Sequence, residues 1–477
     1  MTLKIYNTLT GSKEDFRPIV EGKVGMYVCG VTVYDRCHMG HARAGVAFDF
    51  VFRGLRRLGY DVTYVRNFTD VDDKIINRAN ERGITCDELV EENIKNFYLD
   101  MDRLYMERPN FEPRATRHID DMIELIGELI EKELAYASEG DVFFSVRDFD
   151  EYGKLSKRNL DELEEGARVE VNSAKRDPLD FALWKKSKPG EPKWPSPWGE
   201  GRPGWHIECS AMGRKLLGVT FDIHGGGKDL VFPHHENEVA QSHGASGHPP
   251  VNYWMHNGFV NINKEKMSKS LGNFFTIKDV LEKFDPEAVR LYLLSTHYRS
   301  PIDFADEYLA EAERTLCKFY DTANRAEKAL GGPGSNVEVT GTLKKELVAA
   351  LEDDFNSATV MAILNMVDGL VNTECDRLKK KNVKIEELAA AYSSFRSICD
   401  LLGILNRTPT EFIETLKKKH LASIKMTEKD VQKLIADRRA ARDEKDFAKA
   451  DSIRDELLAK GVTLQDTPES TGWMVKL

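Results

Sequence analysis

Hydrophobic and polar positions change period in a regular order along the first third of the chain. Val24 to Cys29 is a short apolar run, Ala42 to Leu58 repeats its apolar residues at helical spacing, and Asp61 to Asn67 is again rich in β-branched and aromatic residues. Strand, helix, strand in that order predicts a unit of a parallel sheet, because parallel strands need a crossover between them. A nucleotide site is expected at the carboxyl edge of such a sheet. Asp120 to Leu134 reads as a helix and Val142 to Val146 as a strand. Lys185 to Pro203, rich in Pro, Gly, Trp and Lys, predicts a surface insertion that leaves the sheet and returns. Asp222-Ile223-His224 predicts another strand, ending in a turn at Gly225-Gly226-Gly227.

Beyond Tyr298 the period is helical. Glu307 to Leu330, Leu343 to Cys375 and Ile385 to Leu405 read as long helices, with a Gly/Pro linker near Gly331 to Ser335, and together predict a helical bundle. Thr427 to Leu477 predicts a charged helix around Ala436 to Lys449 and another from Ala450 to Lys460, closing with Trp473. The expected fold class is α/β: a Rossmann-like parallel-sheet domain over 1–305, split by an insertion at roughly 112–203, then a bundle over 306–408 and a small domain over 409–477.

Composition narrows the class. With 477 residues, 41% hydrophobic and 31% charged, the chain is globular and too long for one core. Lys4, Lys13, Glu14, Asp15 and Arg17 interrupt the first twenty positions, so no signal-peptide core is present, and no run approaches the ~20 apolar residues of a membrane span. The expected compartment is the cytoplasm, with no membrane partner. Seven scattered cysteines, an odd number, argue against a disulfide framework. A net charge of -11 speaks against nonspecific coating of nucleic acid and leaves room for a local basic face.

Two separated segments carry nucleotide chemistry. His38-Met39-Gly40-His41 follows the first strand and opens a helix, so backbone donors and the positive dipole end face the place where phosphates lie. Alone it reads equally well as a loop. Lys266-Met267-Ser268-Lys269-Ser270, followed by Leu271-Gly272-Asn273, supplies two cations, two hydroxyls and a glycine that can wrap a triphosphate. No Gly-x-x-x-x-Gly-Lys-Ser/Thr loop occurs, nor a Gly-x-Gly-x-x-Gly after the first strand, so the pair points to ATP bound in the manner of adenylate-forming synthetases.

Pro233-His234-His235-Glu236-Asn237-Glu238 sets His234 and Glu238 four residues apart, on one face of a helix beginning after the proline. Such a pair can offer zinc one nitrogen and one oxygen, with Cys29 and Cys209 as soft partners. Taken singly, each thiol reads as a packed core residue, His234 as a capping histidine and Glu238 as an exposed helix acid.

These segments, with Asn67-Phe68-Thr69-Asp70-Val71-Asp72-Asp73-Lys74, Gly204 to Met212, His224 to Glu238, Asp353-Asp354-Phe355-Asn356 and the last forty residues, resemble the cysteinyl-tRNA synthetases, a class I aminoacyl-tRNA synthetase family. The resemblance implies zinc on Cys29, Cys209, His234 and Glu238, recognising the substrate cysteine through its sulfur. It implies that Gly30, Thr69 and Trp205 border the amino acid and that Asp229 binds its ammonium, although an exposed turn acid is an equal reading of Asp229. His224 is grouped with the substrate-binding residues, while one sequence assigns no individual roles to His206, His224, His235 and His256. His38, Gly40, His41, Lys266, Ser268, Lys269 and Ser270 would attend ATP, with His38, His41, Lys266 and Lys269 as the catalytic set and Mg²⁺ accompanying the nucleotide.

The implied reaction is attack of the cysteine carboxylate on the ATP α-phosphorus, then transfer to the 3′ end of tRNA(Cys), by a monomer. The resemblance places a stem-contact region at roughly 255–305, likens 306–408 to a DALR domain and 409–477 to an anticodon-binding domain, with Arg442, Phe447, Asp451, Asp466 and Trp473 at tRNA-contacting places. Arg438, Arg439, Arg442, Lys445 and Lys449 give that stretch a basic bias, though interleaved acids also suit a solvated helix. Bases would stack on Phe447 or Trp473. Met39, where isoleucine is commoner, and Glu469-Ser470, in place of a usual glycine, depart from the family pattern. Two rivals are a ligase joining cysteine to an amino sugar, which lacks the terminal module, and a noncatalytic zinc-dependent RNA-binding relative, which would not need the Lys266 to Ser270 loop.

Overall fold

The computed structural model describes residues 2–160, 173–262, 265–266, 274–333, 341–380, 384–466 and 471–475. A four-stranded parallel sheet organises the first half: β1 (Lys23–Thr32), β2 (Asp61–Thr69), β3 (Phe221–Gly227) and β4 (Val251–Asn257) lie in the order β4-β3-β1-β2. Helix α1 (Met39–Arg57) crosses from β1 to β2, α2 (Asp73–Arg82) follows β2, α3 (Trp205–Leu217) leads into β3, and α4 (Glu236–Ser246) crosses from β3 to β4. The crossovers leave the adjacent central strands β1 and β3 in opposite directions, so their carboxyl ends form a topological switch point where a crevice opens.

α1 forms where its apolar face can pack on that sheet. Val46, Phe48, Phe50, Val51 and Leu55 are buried, and each buried side chain of that size contributes roughly 1.5–3 kcal/mol. Phe48 also accounts for a departure from the sequence expectation. Gly225, Gly226 and Gly227 continue β3 rather than turning, because a Cβ at Gly225 would stand 2.3 Å from the Phe48 ring. The glycines are there for close packing of helix on strand.

Other boundaries moved for similar local reasons. Lys185 to Pro203 lies outside the parallel sheet, and its two ends belong to a second one. Ala135–Ser138, Asp141–Phe144, Phe181–Lys186 and Gly201–Pro203 form their own antiparallel sheet in chain order, and Lys185 pairs with Arg202. The stretch expected as one helix from Leu343 to Cys375 is two, Gly341–Glu352 and Ser357–Lys379. Between them Asp354 and Phe355 have φ of 59° and 51°, an uncommon left-handed conformation for residues with a side chain. Fully buried Asp354 accepts hydrogen bonds from the Tyr6 amide at 2.9 Å, the Tyr298 hydroxyl at 2.8 Å and Arg299 Nε at 2.7 Å, which hold the break in place.

Near the carboxyl end, helices span Glu428–Asp443 and Phe447–Ala459, so the expected helix from Ala436 to Lys449 is cut. The cut follows from Lys445 at φ 63° and from Asp446, whose carboxylate caps the second helix by accepting from the Lys449 amide. A hairpin, Val462–Asp466 with Thr471–Val475, completes this part.

The chain divides into two compact units: Met1–Glu313 with Glu338–Val367 and Ser397–Ile404, and Arg314–Val337 with Asp368–Arg396 and Leu405–Leu477. Among the described residues no helix is long and apolar enough to cross a membrane.

Candidate active site and metal centre

At the carboxyl end of β1 the pairing with β2 is irregular between Val28 and Val31, so Cys29 and Gly30 stand on a bulge. A bulge bends a strand and re-aims a side chain. Here it brings Cys29 Sγ to 3.6 Å from Cys209 Sγ of α3, 3.5 Å from His234 Nε2 and 3.5 Å from Glu238 Oε1. His234 Nε2 and Glu238 Oε1 are 3.0 Å apart, as expected of an i,i+4 pair. One donor atom from each of the four lies within 4.8 Å of all the others. A tetrahedron with bonds of ~2.0–2.3 Å to nitrogen, oxygen and sulfur has edges of about 3.3–3.8 Å, so the set fits a zinc ion with small adjustment.

A second set, Cys29, His224, His235 and Glu238, also converges within 4.8 Å. It shares Cys29 and Glu238 with the first, so the two sets are alternative sites for a single ion. Two thiols in the first set make it the softer and the better match to zinc.

The surrounding imidazoles form chains rather than isolated rings. His206 Nδ1 is 2.9 Å from His234 Nδ1, so the nitrogen of His234 that points away from the cluster is engaged. His235 Nδ1 meets His256 Nε2 at 2.7 Å, and His256 Nδ1 meets Thr8 Oγ1 at 2.7 Å. Burial pushes His206 and His235 well below the ordinary range and His256 down to about 3, so all three are neutral. Burial opposes ionisation of Glu238 too, yet His224 and His234 outweigh it and bring the carboxyl down to about 2. The hydrogen bond from the Cys29 thiol lowers Cys209 to about 6. Burial alone would lower His234, but Glu238 and Cys209 raise it to about 10. Glu238 and Cys209 therefore favour their anionic forms, while burial pushes the Cys29 thiol up and His234 carries the compensating proton, so one negative charge is left in excess among the four donors.

Beside the cluster lies a cavity of about 300 Å³, bordered by Cys29, Gly30, His38, Gly40, His41, Trp205 and Asp229. Trp205 stacks on His234 at 4.2 Å between ring centroids, joining the cavity wall to the cluster. His38 caps α1: its Nδ1 accepts from the Gly40 amide at 3.1 Å, while its own amide donates to His41 Nδ1 at 3.2 Å. With both Nδ1 atoms accepting, the neutral rings carry their protons on Nε2, the donor a phosphoryl oxygen needs. The two rings stack at 3.8 Å. Of the second nucleotide segment, Met267, Ser268, Lys269 and Ser270 lie outside the described residues, as does the side chain of Lys266. Its downstream flank is anchored to α1, since the Met39 amide donates to Phe275 O at 3.1 Å and the Ile277 amide to Cys37 O at 2.9 Å.

Two residues expected at the substrate are placed differently. Thr69 is buried and donates to Glu208 at 2.7 Å. His224 is buried with Nε2 3.1 Å from Glu238 Oε2, on the metal side. Asn67 emerges as a site residue: its Oδ1 accepts from the Gly30 amide at 2.9 Å and lies 3.8 Å from Cys209 Sγ. A Cβ at Gly30 would stand 1.6 Å from the Asn67 carbonyl, so only glycine allows this approach. Asn67 opens the Asn67 to Lys74 motif, which was the available signal.

In the terminal module Phe447 is 61% exposed. Trp473, by contrast, is buried with Val431, Ile435, Leu457 and Val462, and Lys417 Nζ sits 4.3 Å from its ring centroid. Stacking of a base on Trp473 is therefore corrected: the hairpin pairs Trp473 with Leu464 and turns the indole into the core. Asp466 accepts two hydrogen bonds from Arg438, at 2.8 and 2.7 Å, with Arg442 at 3.5 Å, and Asp451 lies 3.3 Å from Arg454.

Comparison with known proteins extends the picture over the whole chain. The family of tRNA synthetases class I (C) catalytic domains matches residues 15–314, the DALR domain 346–406, and the cysteinyl-tRNA ligase anticodon binding domain 427–473. The chain is 55% identical to a cysteine–tRNA ligase of Geobacter metallireducens over 485 residues, covering 100% of both. It is 53% identical to one of Syntrophotalea carbinolica over 481 residues, again covering 100% of both. Among solved structures it is similar to Mycobacterium tuberculosis methionyl-tRNA synthetase in complex with methionyl-adenylate, with a TM-score of 0.56, 16% identity, and 80% and 89% of the two chains covered. At that identity the likeness concerns the fold.

Proposed function

The chain belongs to the cysteine–tRNA ligases of class I, and on that premise we propose that it activates L-cysteine with ATP and transfers it to the 3′ end of tRNA(Cys), selecting the amino acid by its sulfur at zinc. The observation that carries this reading is the position of the Cys29, Cys209, His234 and Glu238 cluster beside a cavity that the His38 to His41 segment also borders. An amino acid held there by its side chain has its carboxylate free to face a nucleotide.

Zinc on those four donors would supply a Lewis acid that favours a deprotonated thiol over the harder hydroxyl of serine. The chain's own groups do the rest. His206 orients His234 through its second nitrogen, and Trp205 and Gly30 wall the side-chain pocket. Asp229, at the cavity border, offers a carboxylate to the substrate ammonium. His38 and His41 donate from Nε2 to phosphoryl oxygens as the cysteine carboxylate attacks the α-phosphorus and pyrophosphate leaves. By the family resemblance, Lys266 and Lys269 would neutralise charge on the triphosphate, the Gly40 backbone, Ser268 and Ser270 would donate hydrogen bonds to it, and Mg²⁺ would supply further positive charge when bound. A terminal ribose hydroxyl of tRNA then attacks the acyl carbonyl and AMP departs. No covalent enzyme intermediate is needed, so positioning and charge stabilisation account for the rate.

The proposed division is a catalytic domain over 1–305, a DALR-like bundle over 306–408 and an anticodon-binding domain over 409–477, and the order of the matched ranges, 15–314, 346–406 and 427–473, supports it in outline. In the last of these, Phe447 offers an exposed ring to a base, and Arg442, Asp451 and Asp466 offer polar contacts. A cytoplasmic location accords with the substrates of this reaction, ATP and tRNA.

Cysteine-dependent exchange of pyrophosphate into ATP, followed by charging of tRNA(Cys), tests the reading. Both should occur. Exchange without charging would point instead to transfer onto another acceptor, and no exchange would contradict the activity.

A further inference from the structure

The motif Asp70-Val71-Asp72-Asp73-Lys74 contributes one group that the chemistry above does not use. Its three acids are all committed. Asp70 accepts from the Thr116 amide at 2.9 Å and its hydroxyl at 2.6 Å. Asp72 caps α2 by accepting from the Lys74 amide at 2.8 Å. Asp73 pairs with Lys185 at 2.7 Å and with Arg202, both from the inserted sheet. Lys74 stands among them, yet no carboxylate of a described residue pairs with its ammonium. Instead Nζ is held 5.6 Å from the Tyr34 ring centroid and 6.0 Å from that of Trp205. The side chain is exposed and borders the same cavity as His38 and His41.

We propose that Lys74, flanked by Tyr34 and Trp205, binds a phosphate of the single-stranded 3′ end of tRNA as it enters the cavity. An exposed cation beside two aromatic faces is the chemistry that recognises an unpaired nucleotide, with phosphate on the ammonium and base on a ring. Two other anions visit the cavity and fit less well. The phosphates of ATP have a separate provision at the amino end of α1, on another element from Lys74. The cysteine carboxylate brings no ring for the aromatic pair. The assignment rests on the aminoacylation reading and adds to it a contact that acts in transfer and not in activation.

Lys74→Met in the full-length chain separates these cases. Pyrophosphate exchange with cysteine should keep its wild-type rate and thereby report an intact fold. Single-turnover transfer from preformed cysteinyl adenylate to tRNA should fall roughly tenfold at subsaturating tRNA, as for loss of one charge-assisted hydrogen bond. The slope of log affinity for tRNA against log salt should shrink by about 0.7, the share of one single-strand phosphate. Lys74→Arg should retain most of the transfer rate. A matching loss in exchange would reassign Lys74 to ATP, and wild-type transfer with an unchanged salt slope would remove it from tRNA; either overturns the proposal. A wild-type enzyme that performs no cysteine-dependent exchange would contradict the function itself.

Discussion

His206 shows how much of a metal centre lies beyond its ligands. Its Nδ1 meets His234 Nδ1 at 2.9 Å, and burial keeps its ring neutral. Removing it frees the His234 ring to rotate away from Cys29 and Glu238. Loss of such an outer partner typically costs 10–100-fold in metal affinity, so His206→Ala should weaken zinc binding by about that factor in a competition with a chelator of known affinity. Unchanged affinity would place the orientation of His234 in its stacking on Trp205 alone. Cys29, Cys209, His234 and Glu238 were legible in the sequence because thiols and an i,i+4 His/Glu pair are chemically conspicuous. Asn67 was marked only by its place at the head of the Asn67 to Lys74 motif, and the chain from His235 through His256 to Thr8 was not legible at all. A side-chain amide that accepts from a strand amide, or a histidine whose partner is another histidine, leaves no periodic trace.

At the scale of elements, the terminal hairpin is tied to the helix Glu428–Asp443 by Asp466 and Arg438. Hydrogen bonds from Arg438 and Thr471 hold the Asp466 carboxyl at about 2, below its unfolded value of ~3.9. A depressed folded value means that the pair stabilises above the unfolded value, and that this contribution is lost as pH falls from about 4 to about 2. Asp466 is 44% exposed on its side chain, so solvent screens much of the attraction, while Arg438 is 7% exposed and would be left unpaired. Asp466→Asn should therefore destabilise the module by about 1 kcal/mol at neutral pH, with the gap to wild type narrowing below about pH 4 in denaturant titrations. A gap independent of pH would show that the carboxylate charge is not the cause. The same scale shows where sequence periodicity stops. β1 and β2 were legible because strands of a parallel sheet are nearly continuous apolar runs, and α1 because its buried residues recur at helical spacing. The breaks at Asp354 and Asp446 were not, since both depend on a carboxylate finding amide donors, one of them far along the chain. The glycines of β3 were misread as a turn because the Phe48 ring that requires them belongs to another element.

Over the whole molecule, an acidic chain of net charge -11 must engage a polyanion. That is possible where cations are concentrated locally, and the salt dependence of tRNA affinity counts them. The family of the chain was legible from separated motifs, and full-length identity of 55% to a cysteine–tRNA ligase agrees with it. What the motifs left open is which step each group serves. We propose that the amino acid is chosen by its sulfur at the four-donor cluster. The most direct test is the cysteine-to-serine ratio of pyrophosphate exchange in wild type and in Cys209→Ser, with zinc content measured on the same preparations. Near-stoichiometric zinc and discrimination of ~10⁴ or more are expected in wild type, with loss of both in the variant; a variant that keeps its zinc and its preference for cysteine would contradict selection by sulfur.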